Sequence, residues 1–125
     1  MLLDHLPDGS QDCPLIRLYH FTQNEIKHLA SQVEELAAER ISRIEVHDLN
    51  YVTAIDECQL RFCLRNWDQA VLKTGPNSFQ CGFTAGTWDN VVGLIEPFFT
   101  GANGFQWLAG MPGEAMLLLS PSGEW

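Results

Sequence analysis

The chain has 125 residues, of which 46% are hydrophobic and 10% aromatic, enough apolar surface for one core and too little length for two. Seven Lys and Arg stand against sixteen Asp and Glu, a formal net charge of −9, and the basic residues are scattered from Arg17 to Lys73. That balance excludes nucleic acid and anionic membrane surfaces, which draw their affinity from clustered cations, and favours a basic protein as partner.

Residues 1–13 contain Pro7, Asp8, Gly9 and Ser10 and no apolar period, which predicts a flexible arm ahead of a single domain over 14–125. The opening lacks the basic start and long apolar run of a secretory leader. The longest apolar stretch, Ala115 to Leu119, is far short of the roughly 20 residues of a membrane span. A soluble, cytoplasmic protein is expected.

From Leu15 to Phe21, aliphatic, β-branched and aromatic residues predict a first strand. Thr22-Gln23-Asn24-Glu25 has the spacing of a capping box, with Phe21 and Ile26 placed for a hydrophobic staple. The apolar positions Ile26, Leu29, Ala30, Val33 and Leu36 then mark one buried stripe of a helix, with Glu34, Glu35 and Glu39 on the opposite side. Residues 41–47 alternate as a half-solvated strand. A stronger alternation sets Cys58, Leu60, Phe62 and Leu64 against Gln59, Arg61, Cys63 and Arg65. Trp67 falls in the turn that follows, before a short strand at Ala70–Leu72 and another at Phe79–Phe83.

Thr84 is placed to cap a second helix, which Pro97 limits to about Ile95 by removing a donor and crowding the preceding turn. Phe105–Leu108 and Ala115–Leu119 predict a closing hairpin around Gly110-Met111-Pro112-Gly113, the second run having the continuous apolar character of an interior strand. The order β-α-β-β-β-α-β-β points to an α+β, two-layer sandwich. It would have a mostly antiparallel or mixed sheet of about five to six strands, with both helices packed on one face.

Phosphate-cradling glycine loops, nucleophile elbows, zincin motifs and calcium loops are all missing from the sequence. Cys13, Cys58, Cys63 and Cys81 contain no C-x-x-C pair, and an offset of five puts Cys58 and Cys63 on opposite faces of a strand. Free thiols are expected, with no metal, no cofactor and Cys63 the least protected from reagents. A Cys-His pair using His20 or His47 is the strongest catalytic combination available, but cysteines in alternating strands usually serve as small core hydrophobes. His5 with Asp4, Asp8 and Asp12 lies in the expected arm, whose ordering entropy opposes a metal site. Asp56 and Glu57, as neighbours, cannot share a strand face.

Among the tryptophans, Trp88 and Trp107 are expected in the core. Trp67 and Trp125 fall at a turn and in the terminal segment, where an exposed indole serves as a contact anchor. Small size, acidity and the lack of a catalytic signature have the general character of inhibitors, immunity proteins and antitoxins. The expected function is therefore a non-enzymatic protein-binding module with a basic partner, contacting it through Glu34, Glu35, Glu39, Trp67 and Trp125. A small-molecule binder or enzyme with a Cys/His pocket is the first alternative, and a structural subunit forming a homodimer through a strand edge is the second.

Overall fold

Leu3 and His5 alternate with Leu2, Asp4 and Leu6, and in the computed structural model, which describes residues 1–109 and 113–125, Leu2–Leu6 forms strand β1. It pairs antiparallel with β2 (Leu15–Tyr19), setting Asp4 opposite Arg17 and Leu6 opposite Leu15. The segment expected as a flexible arm thus opens with a sheet strand. The reason is non-local: a strand of five residues, followed at once by Pro7-Asp8-Gly9, has too short a pattern to stand out until β2 supplies its hydrogen-bond partners.

Helix α1 (Gln23–Ala37) begins at the expected box. The Thr22 hydroxyl accepts from the Glu25 N–H at 3.1 Å, and the Glu25 carboxylate accepts from the Thr22 N–H at 2.8 Å. Its buried residues are the predicted Ile26, Leu29, Ala30, Val33 and Leu36. Strand β3 (Arg43–Glu45) passes into a 3-10 turn at Val46–Asp48, and β4 (Thr53–Ala54) lies parallel to β1.

Strand β5 (Gln59–Leu64) turns Leu60 and Phe62 into the core and packs the half-buried Leu64 against it, as the alternation requires. Strands β6 (Leu72–Gly75) and β7 (Ser78–Phe83) form a hairpin, and β7 also runs parallel to β5. Helix α2 (Ala85–Ile95) stops where Pro97 predicts, passing into a 3-10 turn at Glu96–Thr100. Strands β8 (Gln106–Ala109) and β9 (Met116–Ser120) pair antiparallel, while Gly110, Met111 and Pro112 of the expected hairpin turn lie outside the described residues.

The fold is α+β, with two mixed sheets rather than one. A five-stranded sheet has the order β4-β1-β2-β9-β8 and a four-stranded sheet the order β3-β5-β7-β6. Alternation tells which side of a strand is apolar but not which strand it pairs with, so the parallel pairs β2/β9 and β5/β7 were not readable locally. One core unites both sheets and both helices, with Leu3, Ile16, Leu18, Leu117 and Leu119 from one sheet and Leu60, Phe62, Phe79 and Cys81 from the other. Helix α1 packs along α2 and touches β3 and β5, whereas α2 touches β7 and β8. The His5 ring on β1 meets Phe79 on β7 at 4.6 Å, joining the two sheets.

The apolar run at 116–119 occupies an interior strand, as its continuity predicts: Leu117 and Leu119 enter the core while Leu118 is fully buried on the other face.

Candidate functional site

Strand β5 leaves its sheet at Leu64, and the next residues fold back on β7. The Arg65 N–H donates to the Phe83 carbonyl at 2.9 Å and the Gln69 N–H to the Gly82 carbonyl at 2.7 Å. Gly82 makes this approach possible, because a Cβ there would meet Arg65 Cγ and Gln69 Oε1, each at 2.8 Å. Between these two anchors the Asp68 carboxylate reaches the start of α2. It accepts from the Thr84 N–H at 2.9 Å, the Thr84 hydroxyl at 3.2 Å and the Thr87 hydroxyl at 2.7 Å. Those bonds, the Thr84 N–H first and the Thr87 hydroxyl second, hold the Asp68 carboxyl below the usual carboxylate range. Trp67 stands at the apex of this bolted loop with 63% of its surface exposed.

Carboxylates gather near the same helix. Glu34 and Asp89 line a shallow hollow of about 280 Å³ together with Ala37, Ala38 and Arg40, joining the last turn of α1 to the first turns of α2. The expected face of Glu34, Glu35 and Glu39 is altered in two respects. Glu35 is half-buried and binds Arg40 at 3.2 Å. Glu39 lies beyond the last helical residue, with a left-handed φ of 59°, in the turn where its N–H closes on the Leu36 carbonyl. Around the hollow itself, Glu34 and Asp89 outnumber Arg40.

Trp125 belongs to the other sheet. Its indole N–H donates to Asp12 at 3.2 Å and its ring lies 5.9 Å from the Arg17 guanidinium, leaving it 37% exposed. Arg17 itself is fixed by a two-pronged contact to Asp4, at 2.9 and 2.6 Å, and by the Gly123 carbonyl at 2.8 Å. Trp88 is a core residue as expected. Trp107 is half-buried rather than in the core, paired edge-on with the exposed Phe105 at 5.9 Å, because its odd position on β8 points it away from the helices.

Among the cysteines and histidines, His47 and Cys58 border one open hollow of about 460 Å³, although the Cys58 side chain is itself fully buried. His20 is exposed and reaches the Ser122 carbonyl, while His47 sits beside β5 with Nδ1 at the Leu60 backbone. Burial pushes the Cys58 thiol up to about 11 and Cys81 further still. Cys63 is also raised, burial outweighing nearby Arg65 and Arg61. Cys63 is only 2% exposed, so the expectation that it is the least protected thiol is corrected: the loop carrying Arg65 and Gln69 covers that end of the sheet, and Cys13 is the half-buried one. Asp4 and His5, being neighbours, face opposite sides of β1, and among the described residues no three His, Cys, Asp or Glu side chains come together as a metal site.

A second concavity, of about 390 Å³, lies on the outer face of the four-stranded sheet and is lined by polar side chains of β3, β5 and β7, among them Glu45, Gln59, Arg61 and Gln80. Sequence reasoning did not find it, nor Asp68, Gly82 and Asp89. Their roles depend on contacts 13 or more residues apart, such as Gln69 to Gly82 and Asp68 to Thr84, that leave no local pattern. Among the described residues no helix is long and apolar enough to cross a membrane. No family model, curated protein or solved structure matches the chain.

Proposed function

We propose that the chain is a non-enzymatic protein-binding module that receives a basic partner at the α1–α2 end, with Trp67 as its anchor. The observation that carries this reading is the exposure of a large aromatic side chain on a loop held at Arg65, Asp68 and Gln69. A loop backbone held in advance loses little conformational freedom on binding, and Trp is among the residues that contribute most at interface centres. Asp68 touches Thr87, and Asp89, two residues on, borders the hollow with Glu34, so carboxylates lie at the same end of α2 as the anchor. Their charge attracts a cationic surface and speeds encounter, while affinity comes from burying the indole.

The strand edges favour a different protein over a second copy of this chain. The edge strands β3, β4, β6 and β8 have three, two, four and four residues, and on β6 the Lys73 N–H is already taken by the Glu114 carboxylate. Edges this short, one of them partly occupied, are poor templates for strand pairing. Trp125, tied to Asp12, contributes to holding its own sheet rather than to the anchor.

The test is to isolate the partner by affinity capture from the native host and measure its kinetics. Trp67→Ala should raise the dissociation rate about 30-fold or more, equivalent to the 2 kcal/mol or greater loss typical of a hot spot. The double change Glu34→Lys and Asp89→Lys should instead slow association and flatten its salt dependence. An acidic partner, or one indifferent to both variants, defeats the reading.

A further inference from the structure

We infer that the recess on the outer face of the four-stranded sheet is a binding site for a small neutral polyol of monosaccharide size. This site is separate from the Trp67 surface and does not depend on it. Strand register builds it: Glu45 on β3 stands opposite Arg61 on β5, which stands opposite Gln80 on β7, so one polar row crosses three strands. Gln59 and Ser78 form a second row beside it. At about 390 Å³ the concavity is at the lower end of small-molecule sites.

The chemistry of the wall selects the ligand. His47 Nδ1 lies 3.1 Å from both the N–H and the carbonyl oxygen of Leu60, which fixes the ring against β5 and turns Nε2 toward the recess. Nε2 stands 3.8 and 3.7 Å from the carboxylates of Glu45 and Asp48. Arg61 spends Nε on Glu45 at 2.7 Å, and Arg43 stands 3.7 Å from the same carboxylate, so Glu45 is compensated. Ser78 donates to the Gln59 carbonyl at 3.4 Å, which leaves the Gln59 amide as a donor.

Arg61 retains its terminal nitrogens, and the Gln80 amide makes no side-chain hydrogen bond among the described residues, so it offers both a donor and an acceptor. An anion would be repelled by Asp48 and by a net charge of −9. A cation would be drawn to Asp48 but would meet the like charge of the Arg61 guanidinium in the same recess, so spermidine is the sharper of the two charged comparators. An apolar ligand would leave these groups unpaired. Hydroxyl groups, each able to give and accept, match a wall of closely interleaved donors and acceptors without transferring net charge.

The experiment is an NMR titration of the ¹⁵N-labelled full chain with D-glucose, D-galactose, D-mannose and myo-inositol, with spermidine and citrate as charged comparators. At least one neutral polyol should shift the backbone amides of Gln59, Arg61 and Gln80 with a Kd of about 1 to 10 mM, the affinity of a few solvent-competing hydrogen bonds. Gln80→Ala, whose thermal midpoint is measured alongside as the folding control, should weaken that Kd about tenfold, the loss of one or two such bonds. Gln59→Ala serves as the second variant should Gln80→Ala lower the midpoint. The inference is overturned if none of the four polyols moves those amides at about 50 mM, well above the expected Kd. It is equally overturned if spermidine or citrate shifts them more strongly than any polyol, or if both variants bind like the parent chain.

Discussion

Asp68 shows how much one carboxylate can decide. It sits at the N-terminus of α2, where backbone N–H groups lack partners and the helix dipole favours negative charge. Its folded pKa lies below the unfolded value, so its contribution is present above the unfolded pKa of about 3.9 and is lost as pH falls through the folded value. Asp68→Asn should cost about 1 kcal/mol at pH 7, as loss of a helix cap does, and the gap from the parent chain should shrink at pH 3. Urea unfolding at both pH values measures this; an unchanged gap would show that the charge is irrelevant.

Thiol reactivity belongs to the same scale. The thiolate is the nucleophile, and burial holds Cys58, Cys63 and Cys81 in the thiol form. Alkylation at pH 8 followed by peptide mapping should label Cys13 first, with the other three reacting only under denaturing conditions. Fast modification of Cys63 in the native chain would contradict the cover provided by the loop.

At the scale of elements, the helices were legible because their signals are local. The capping box spans four residues, the apolar stripe repeats within a turn, and Pro97 acts on its own backbone. The turn at Trp67 was legible too, but its attachment to β7 was not, since that depends on Gly82, which faces Arg65 and Gln69. Gly82→Ala should therefore destabilise the chain by about 1 to 3 kcal/mol through overpacking, as an added Cβ displaces both side chains. It should also weaken partner binding without touching the partner. Calorimetry and binding kinetics on one sample separate these effects. Unchanged stability would mean that the loop gives way freely and that Trp67 is not held in advance.

For the whole molecule, the arrangement turns on β1. Lying between β4 and β2, it carries Leu3, fully buried in the shared core, and Asp4, the partner of Arg17. Leu3→Ala should cost about 2 to 5 kcal/mol, the range for a buried leucine. The same change in a flexible arm would cost almost nothing, so equilibrium unfolding distinguishes the two descriptions directly.

The sequence by itself determined the charge balance, the α+β class, the starts of both helices and the end of the second, the inward face of β5 and the interior position of β9. Each follows from composition or from periodicity within about ten residues, where backbone geometry alone assigns a side chain to a face. Tertiary structure alone decided that there are two sheets, that residues 2–6 join one of them, that Cys63 is covered, and that Asp68 ties the loop after β5 to the start of α2. Strand partners, and contacts between residues distant in the chain, are set by how the buried faces close on one core, and no local period encodes that closure.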